Sequence, residues 1–214
     1  NCPEGIRLSA GTGHKVYYNS VHLFGSLTGP STRYSSAFVV AATSVTGIDV
    51  RNNIFSNRMV PTSTTAENMA MWFVAAYPFG TAGNTFNNNA FFVTPSSVNH
   101  FVAKVGVTAG SGTYQSLALW QAASSGDAQS IPVINLFAPF TSNTDLTIPA
   151  ATSTGCESGG VAIASLGLPN TDYTGANRPA GTGTAPDMGA YEFDGIAATG
   201  CNSAPSNGGT ITAA

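Results

Sequence analysis

The stretch Tyr17-Tyr18-Asn19-Ser20-Val21 has two later counterparts, Val50-Arg51-Asn52-Asn53-Ile54 and Phe86-Asn87-Asn88-Asn89-Ala90. Aligned on Asn19, Asn52 and Asn88, the copies are spaced by 33 residues (19 to 52) and 36 residues (52 to 88). A second apolar run follows each copy, at residues 37–41, 71–75 and 101–105. A repeat of strands and turns with this period is typical of a solenoid, whose units bury their apolar faces only against their neighbours. The sequence therefore predicts an all-β fold, a right-handed parallel β-helix solenoid.

The recurring asparagine predicts a ladder. Asparagine accepts the left-handed backbone region of tight turns, and stacked strands lie about 4.8 Å apart, so its amide can bond to the amide of the next coil. We expect Asn19, Asn52 and Asn88 to superpose at one corner of the stack. The residues expected to fill the interior beside them are Val21, Ile54 and Ala90. The alternative is a β-sandwich whose asparagine-rich loops are similar by chance.

The composition favours an extracellular or cell-surface protein. Of the 214 residues, 43% are hydrophobic and only 8% are charged, whereas about a quarter is usual for charged residues. The net charge of −3 argues against a nucleic-acid partner, because phosphate binding needs clustered cations. No apolar run approaches the roughly 20 residues that span a bilayer, so membrane insertion is not expected.

Three regions are expected along the chain. Residues 1–112 are predicted to be stacked coils that continue upstream, since an uncovered first coil exposes apolar side chains. Residues 113–195 are predicted to hold the final coils and a C-terminal cap, and residues 196–214 a linker or the start of a following module. One short helix is expected within residues 113–130, begun by Ser116 and ended by Gly126, with Leu117 and Trp120 on its apolar face.

The three cysteines are interpreted as structural. An odd number in a secreted protein leaves one thiol without a partner in the chain. Cys156 and Cys201 are candidates for a disulfide, with Cys2 pairing upstream, and the alternative is that Cys201 pairs into a following module. None of the three has the spacing of a metal site.

The C-terminal half carries motifs of a known kind of protein. Trp120-Gln121, Asp127-Ala128-Gln129-Ser130, Asn135-Leu136-Phe137 and Asp145-Leu146-Thr147-Ile148 occur in this order. The closing run Asp172-Tyr173-Thr174-Gly175-Ala176-Asn177-Arg178-Pro179 is followed by Pro186-Asp187-Met188-Gly189-Ala190-Tyr191-Glu192-Phe193. These segments resemble those of secreted bacterial right-handed parallel β-helix surface proteins, which are pectate-lyase-like. The resemblance implies an exported multidomain protein whose partners include its own neighbouring domains, and it implies no particular activity.

The closing run also supplies a candidate cap. Asp172, Asp187 and Glu192 surround Arg178, with Gly175 and Gly189 in the turns. The favoured interpretation is structural, with Arg178 forking onto Asp187 or Asp172 beneath the final coil. The alternative is a Ca²⁺ site, although the spacing lacks an EF-hand or nonapeptide pattern. No cofactor is expected otherwise.

No catalytic constellation is visible in the coils. Lyases of this fold need a Lys or Arg beside acids that hold Ca²⁺, and hydrolases need paired carboxylates. Residues 14–112 contain only Asp49 and Glu67 as acids, and Asp49 is expected to form a surface ion pair with Arg51. The histidines, His14, His22 and His100, are interpreted as surface or turn residues.

Three functions fit these observations. The first is a non-catalytic segment of a surface protein, an adhesin, stalk or passenger whose side faces either bind glycans or simply hold distance. Tyr17, Tyr18 and Tyr34 are its candidate residues for stacking on sugar rings. The second is a fragment of a polysaccharide lyase or glycoside hydrolase whose active coils lie upstream. The third is a trimeric fibre of the capsid or tailspike kind. The low charge and neutral polar faces favour the first.

Overall fold

The computed structural model describes residues 2–29, 33–80, 83–93, 99–107, 112–131, 138–163, 171–179 and 185–197. The described part is mostly β, with one short helix, which confirms the all-β prediction at this level. The strands are β1 (Glu4–Leu8), β2 (Lys15–Tyr17), β3 (Ser20–Leu27), β4 (Tyr34–Val40), β5 (Asp49–Arg51), β6 (Ile54–Pro61), β7 (Glu67–Phe73), β8 (Thr85–Asn87), β9 (Ala90–Val93), β10 (His100–Val105), β11 (Thr113–Tyr114), β12 (Ser153–Thr154) and β13 (Ile196–Ala197). Helix α1 is Leu117–Ser124.

Strands that lie three positions apart in the chain pair with one another. Sheet 1 has the order β1-β4-β7-β10-β11, sheet 2 the order β2-β5-β8, and sheet 3 the order β3-β6-β9. The pairings are parallel, apart from the antiparallel pair β10–β11. A short parallel pair, β12–β13, lies outside these sheets. Each repeat in the sequence therefore supplies one strand to each of three parallel sheets.

The three sheets share one apolar core. It contains Phe38 and Met71 from sheet 1, Val50 from sheet 2, and Phe55 and Phe91 from sheet 3. Apolar side chains of successive repeats lie next to one another, because Phe38 pairs with Met71 and Phe55 pairs with Phe91 in register. The rings of Phe55 and Phe91 stack with centroids 6.2 Å apart. A single repeat could not bury these apolar side chains without the neighbouring repeats.

Sheet 3 is apolar on both faces, which the sequence did not predict. Ile54 and Ala90 were expected in the shared core, but they belong to a second cluster on the other face of the sheet. Side chains from the C-terminal half cover that face: Ala138, Ile148, Cys156 and Met188. Neighbouring residues of a strand point to opposite faces, so Val21 and Phe55 occupy the position inside the shared core.

Helix α1 closes one end of the core. Ser116 begins it as predicted, with extended backbone and a hydroxyl that accepts from the Leu119 N–H at 3.3 Å. The helix ends before Gly126, because Ser125 takes the left-handed cap position with φ 55°. Trp120 is fully buried and stacks on Phe73 at 5.3 Å. No helix in the described residues is long and apolar enough to cross a membrane.

Candidate functional site

The asparagine ladder exists and includes Asn19 as predicted, but its other two members are Asn53 and Asn89, each one position after the predicted Asn52 and Asn88. Strand register places Asn19 opposite Asn53 and Asn53 opposite Asn89, because Tyr17 pairs with Arg51 and Arg51 with Asn87. The Asn19 amide donates to Asn53 Oδ1 at 2.9 Å, and the Asn53 amide donates to Asn89 Oδ1 at 3.0 Å. The same oxygens also accept from the backbone of the preceding ladder residue: Asn19 N donates to Asn53 Oδ1 at 3.0 Å, and Asn53 N donates to Asn89 Oδ1 at 3.1 Å. Asn53 and Asn89 are fully buried, so the ladder lies inside the stack.

A buried carboxylate closes the ladder beside helix α1. Asn89 Nδ2 donates to Asp127 Oδ1 at 3.1 Å, and the Ser130 hydroxyl donates to the same oxygen at 2.6 Å. The indole N–H of Trp120 donates to Asp127 Oδ2 at 2.8 Å. Burial raises the pKa of Asp127, and these donors act against that rise. The amides therefore all point their N–H groups toward Asp127, which fixes the direction of the ladder.

The other predicted ladder residues form a neighbouring column with a different task. Asn52 and Asn88 take left-handed backbone angles, with φ 62° and 52°, and Tyr18 takes φ 55° at the same position of the first repeat. Asn52 accepts from Val161 N at 2.9 Å and donates to Val161 O at 2.8 Å. Asn88 donates to Gly159 O at 3.2 Å. This column holds the C-terminal segment against the coils.

The outer face of sheet 2 carries an interlocked polar cluster of Tyr17, Asp49 and Arg51. Arg51 Nε and Nη2 donate to the two oxygens of Asp49, each at 2.6 Å, and the Tyr17 hydroxyl donates to Asp49 Oδ2 at 2.6 Å. The guanidinium carbon of Arg51 lies 5.5 Å from the centre of the Tyr17 ring. The predicted ion pair is present, although it is partly buried and bidentate rather than a loose surface contact.

This cluster has N–H donors beyond those that Asp49 engages. Burial and the bond to Asp49 raise the pKa of Tyr17, and the bond to Asp49 raises the pKa of Arg51, so the phenol stays neutral and the guanidinium charged. A guanidinium has five N–H donors, and Asp49 engages two of them. The cluster therefore offers a rigid ring and further N–H donors.

The other two predicted stacking tyrosines lie elsewhere. Tyr18 packs against the cap, with the Arg178 guanidinium carbon 4.1 Å from its ring centre and its hydroxyl donating to Val161 O at 3.0 Å. Tyr34 lies on sheet 1, stacks on Trp72 at 6.0 Å and donates to Glu4 Oε1 at 2.5 Å. The three tyrosines do not form one surface: Tyr17 on sheet 2 and Tyr34 on sheet 1 each donate to a carboxylate, and Tyr18 packs against the cap.

The cap is organised around Arg178, but its carboxylate partner is Glu192 rather than the predicted Asp187 or Asp172. Arg178 is 4% exposed and forms an ion pair with Glu192. It also donates to the main-chain oxygens of Asp187 at 3.3 Å and Gly189 at 2.9 Å. Buried Arg178 thus fixes the long loop that follows it.

The remaining cap carboxylates bind backbone N–H groups. Asp172 accepts from Thr174 N, Ala176 N and Glu192 N at 2.7, 2.9 and 2.9 Å. Asp187 accepts from Ser158 N at 2.7 Å and Phe193 N at 2.8 Å. Burial raises the pKa of Asp187 to about 6 and that of Glu192 to about 7.

The described residues show no grouping of cap carboxylates around a cation. Among them, no set of three or more His, Cys, Asp or Glu side chains is arranged to hold a metal ion. The cap carboxylates are instead engaged by the backbone and by Arg178. This arrangement supports the structural interpretation of the closing run.

Two glycines of the closing run take positive φ. These are Gly175 with φ 90° and Gly189 with φ 95°. A Cβ at Gly189 would lie 2.7 Å from Ile54 Cδ1 and from Ser20 Oγ, so this turn lies directly on sheet 3. A larger residue at position 189 would push the closing run off the sheet.

The histidines and cysteines within the described residues lie apart from one another and are engaged or buried individually. His14 bonds to Ala10 O at 2.8 Å, and His100 is buried on β10 rather than at the surface as predicted, 3.2 Å from Asn68. Cys156 is buried under sheet 3, and burial raises its pKa to about 12. Cys201 lies outside the described residues, so the Cys156–Cys201 disulfide stays a prediction.

Comparisons with protein-family models, curated proteins and solved structures gave no match to this chain. The function must therefore be argued from the chain's own side chains.

Proposed function

We propose that this chain is a non-catalytic segment of a secreted or cell-surface protein. In this proposal it is a right-handed parallel β-helix that serves as an adhesin or stalk and binds neutral glycans. The pairing of every third strand in parallel supports the solenoid. The low charge and the absence of a spanning helix among the described residues are compatible with export.

The interlocked cluster of Tyr17, Asp49 and Arg51 is the observation that carries the glycan proposal. A sugar ring offers an apolar face for an aromatic ring and hydroxyls for polar groups at its edge, the combination found in small-molecule sites. Tyr17 is held by a 2.6 Å bond to Asp49, so little side-chain entropy is lost when a ligand stacks on it. Arg51 and Asp49 then meet the hydroxyls.

The same cluster argues against catalysis at this surface. General base catalysis needs a group that can take a proton, and hydrolysis needs two carboxylates in defined separation. Asp49 has both oxygens engaged by Arg51 and one of them also by Tyr17. A group held in this way binds and orients a ligand but does not cycle protons.

The test is isothermal titration calorimetry with neutral hexaoses (xylo-, cello-, laminari- and mannohexaose). We expect Tyr17→Ala to weaken binding of the preferred hexaose at this site at least tenfold, or about 1.4 kcal/mol. Lys15→Ala is the matched control, because Lys15 is exposed on the same strand and face, and it should change affinity less than twofold. Binding unchanged in Tyr17→Ala, or no binding to any hexaose, would contradict the proposal.

A further inference from the structure

A second aromatic cluster lies on the outer face of sheet 3, away from the Tyr17 cluster. His22 stacks on Phe24 with ring centroids 5.6 Å apart and planes inclined by 20°. Phe140 meets His22 edge-on at 5.5 Å. Phe24 is 44% exposed, so one aromatic ring is presented to solvent with another ring behind it.

His22 is fixed from both sides of its ring. Its Nδ1 lies 2.9 Å from Ser56 Oγ, and its Nε2 lies 3.2 Å from Asn143 Oδ1. Because Asn143 Oδ1 is an acceptor, Nε2 carries the proton and Nδ1 accepts from the Ser56 hydroxyl. Ser56 is fully buried, which excludes it as a nucleophile for an external substrate. The cluster is therefore a support for the Phe24 ring rather than a hydrolytic dyad.

Polar residues lie near the aromatic cluster. Asn143 lies in a loop closed by bonds from Thr141 N to Thr147 O at 2.8 Å and from Ser142 N to Asp145 O at 3.0 Å. Its oxygen accepts from His22, which leaves the amide N–H₂ on the solvent side of an exposed residue. On the neighbouring strand, Arg58 lies opposite Phe24 in register.

The small apolar area selects the kind of ligand. On this face, the described residues expose two large apolar side chains, Phe24 and Val60. One aromatic side chain buries about 150–250 Å² at most, whereas a stable protein interface buries about 800 Å² on each partner. A single rigid ring, supported by a histidine that is bonded to an exposed amide, is instead the size and chemistry of one sugar unit.

We propose that Phe24, supported by His22, is the stacking platform of a second carbohydrate site, which takes one pyranose unit of a neutral oligosaccharide. The Asn143 amide donates to the sugar hydroxyls, and Phe140 with Ser56 keeps His22 in place. The ligand class rests on the proposed function, but the site itself is independent of the Tyr17 cluster. Phe24 lies on β3 and sheet 3, whereas Tyr17 lies on β2 and sheet 2.

The test counts sites by calorimetry with the same neutral hexaoses. The unmodified chain should bind two equivalents, Phe24→Ala should bind one, and Phe24→Trp should bind two. Val60→Ala is the control, because it trims an exposed apolar side chain on the same face and should keep both sites. Asn143→Ala should weaken the second site at least tenfold and leave the first unchanged.

Each alternative outcome is distinguishable. The proposal of a Phe24 site would be overturned if Phe24→Ala still bound two equivalents of hexaose. It would also be overturned if Val60→Ala lost one binding site as Phe24→Ala does. A single site lost only in Tyr17→Ala would overturn the Phe24 site and leave the proposed function standing, and no binding at all would overturn both. A thermal melt of Phe24→Ala that matches the parent chain ensures that a lost site is not a lost fold.

Discussion

Removing Asn53 tests the ladder at its central member, which is fully buried. Asn53 Oδ1 accepts from the backbone N–H and the amide of Asn19, at 3.0 and 2.9 Å. Its amide donates to Val16 O, Arg51 O and Asn89 Oδ1, at 2.9, 2.9 and 3.0 Å. Asn53→Ala removes all of these bonds at once in a site without solvent exposure.

The expected loss of stability follows from the groups left behind. Asn89 Oδ1 keeps the backbone N–H of residue 53 as a donor, whereas the Asn19 N–H and Val16 O each lose a partner. A buried polar group that loses its partner costs about 1–3 kcal/mol. Two such groups give an expected decrease in the free energy of unfolding of about 2–6 kcal/mol. Asn53→Asp should cost more, because a carboxylate donates nothing and repels Asn89 Oδ1.

Urea denaturation followed by tryptophan fluorescence measures this loss, since Trp120 is buried at the end of the same core. Thr85→Ala is the control, because Thr85 is exposed on β8 in the adjacent sheet. The control should stay within about 0.5 kcal/mol of the parent chain. An Asn53→Ala loss no larger than that of Thr85→Ala would refute the ladder as a stabilising structure.

Two further predictions concern the cap. Arg178→Ala should lower the free energy of unfolding by about 2–4 kcal/mol, because it leaves Glu192 without its buried partner. The control is Arg7→Ala, which breaks the exposed Arg7–Glu4 pair and should cost about 0–1 kcal/mol. Equal losses for the two variants in urea denaturation would contradict the buried pair. The pKa values of Asp187 and Glu192 are raised to about 6 and about 7. The folded chain therefore holds these protons more tightly than the unfolded chain does, and their contribution to stability is present below about pH 4 and lost as the pH rises through 6 to 7. Glu192→Gln should flatten this part of the stability profile, and a profile unchanged by Glu192→Gln would contradict the assignment.

The repeat predicted the strands correctly, because few structures other than stacked strands place short apolar runs at a regular spacing. The runs at 37–41, 71–75 and 101–105 fall in or at the ends of β4, β7 and β10, which are neighbours in sheet 1. Ser116 likewise predicted the start of helix α1, since its hydroxyl serves as the cap. Both signals are local, and local signals can be read from one sequence.

The ladder register was mispredicted because adjacent asparagines are interchangeable in an alignment. Asn52 and Asn53 follow one another, and the first repeat has Tyr18 in place of one of them. The core pairing of Val16 with Val50 fixes the register, and an alignment on these buried positions would have found Asn53. Trp120 and Ser130 lie close to Asp127 in the sequence, but the bond that makes Asp127 the end of the ladder comes from Asn89, in a distant part of the chain, so this role could not be predicted.

The outer cover of sheet 3 could not be predicted for the same reason. Ile54 and Phe92 resemble interior residues in the sequence, and only their contact with Met188 and Ile148 shows that they face the other way. The sequence indicated Tyr17 as a stacking residue only because it is aromatic. Its bond to Asp49 could be seen only once the register of β2 against β5 was known.

Affinity electrophoresis tests the central claim most directly, because one gel reports both binding and cleavage. The native chain is run through gels that contain a neutral polysaccharide (xylan, hydroxyethylcellulose, β-1,3-glucan or galactomannan), and the polysaccharide is then stained. If the chain binds glycans without cleaving them, it should migrate more slowly in at least one of these gels than in a gel without polysaccharide. The Tyr17→Ala variant should be slowed less than the unmodified chain. The polysaccharide stain should remain intact at the position of the protein band. A cleared zone at the band, or unretarded migration in every gel, would contradict the account.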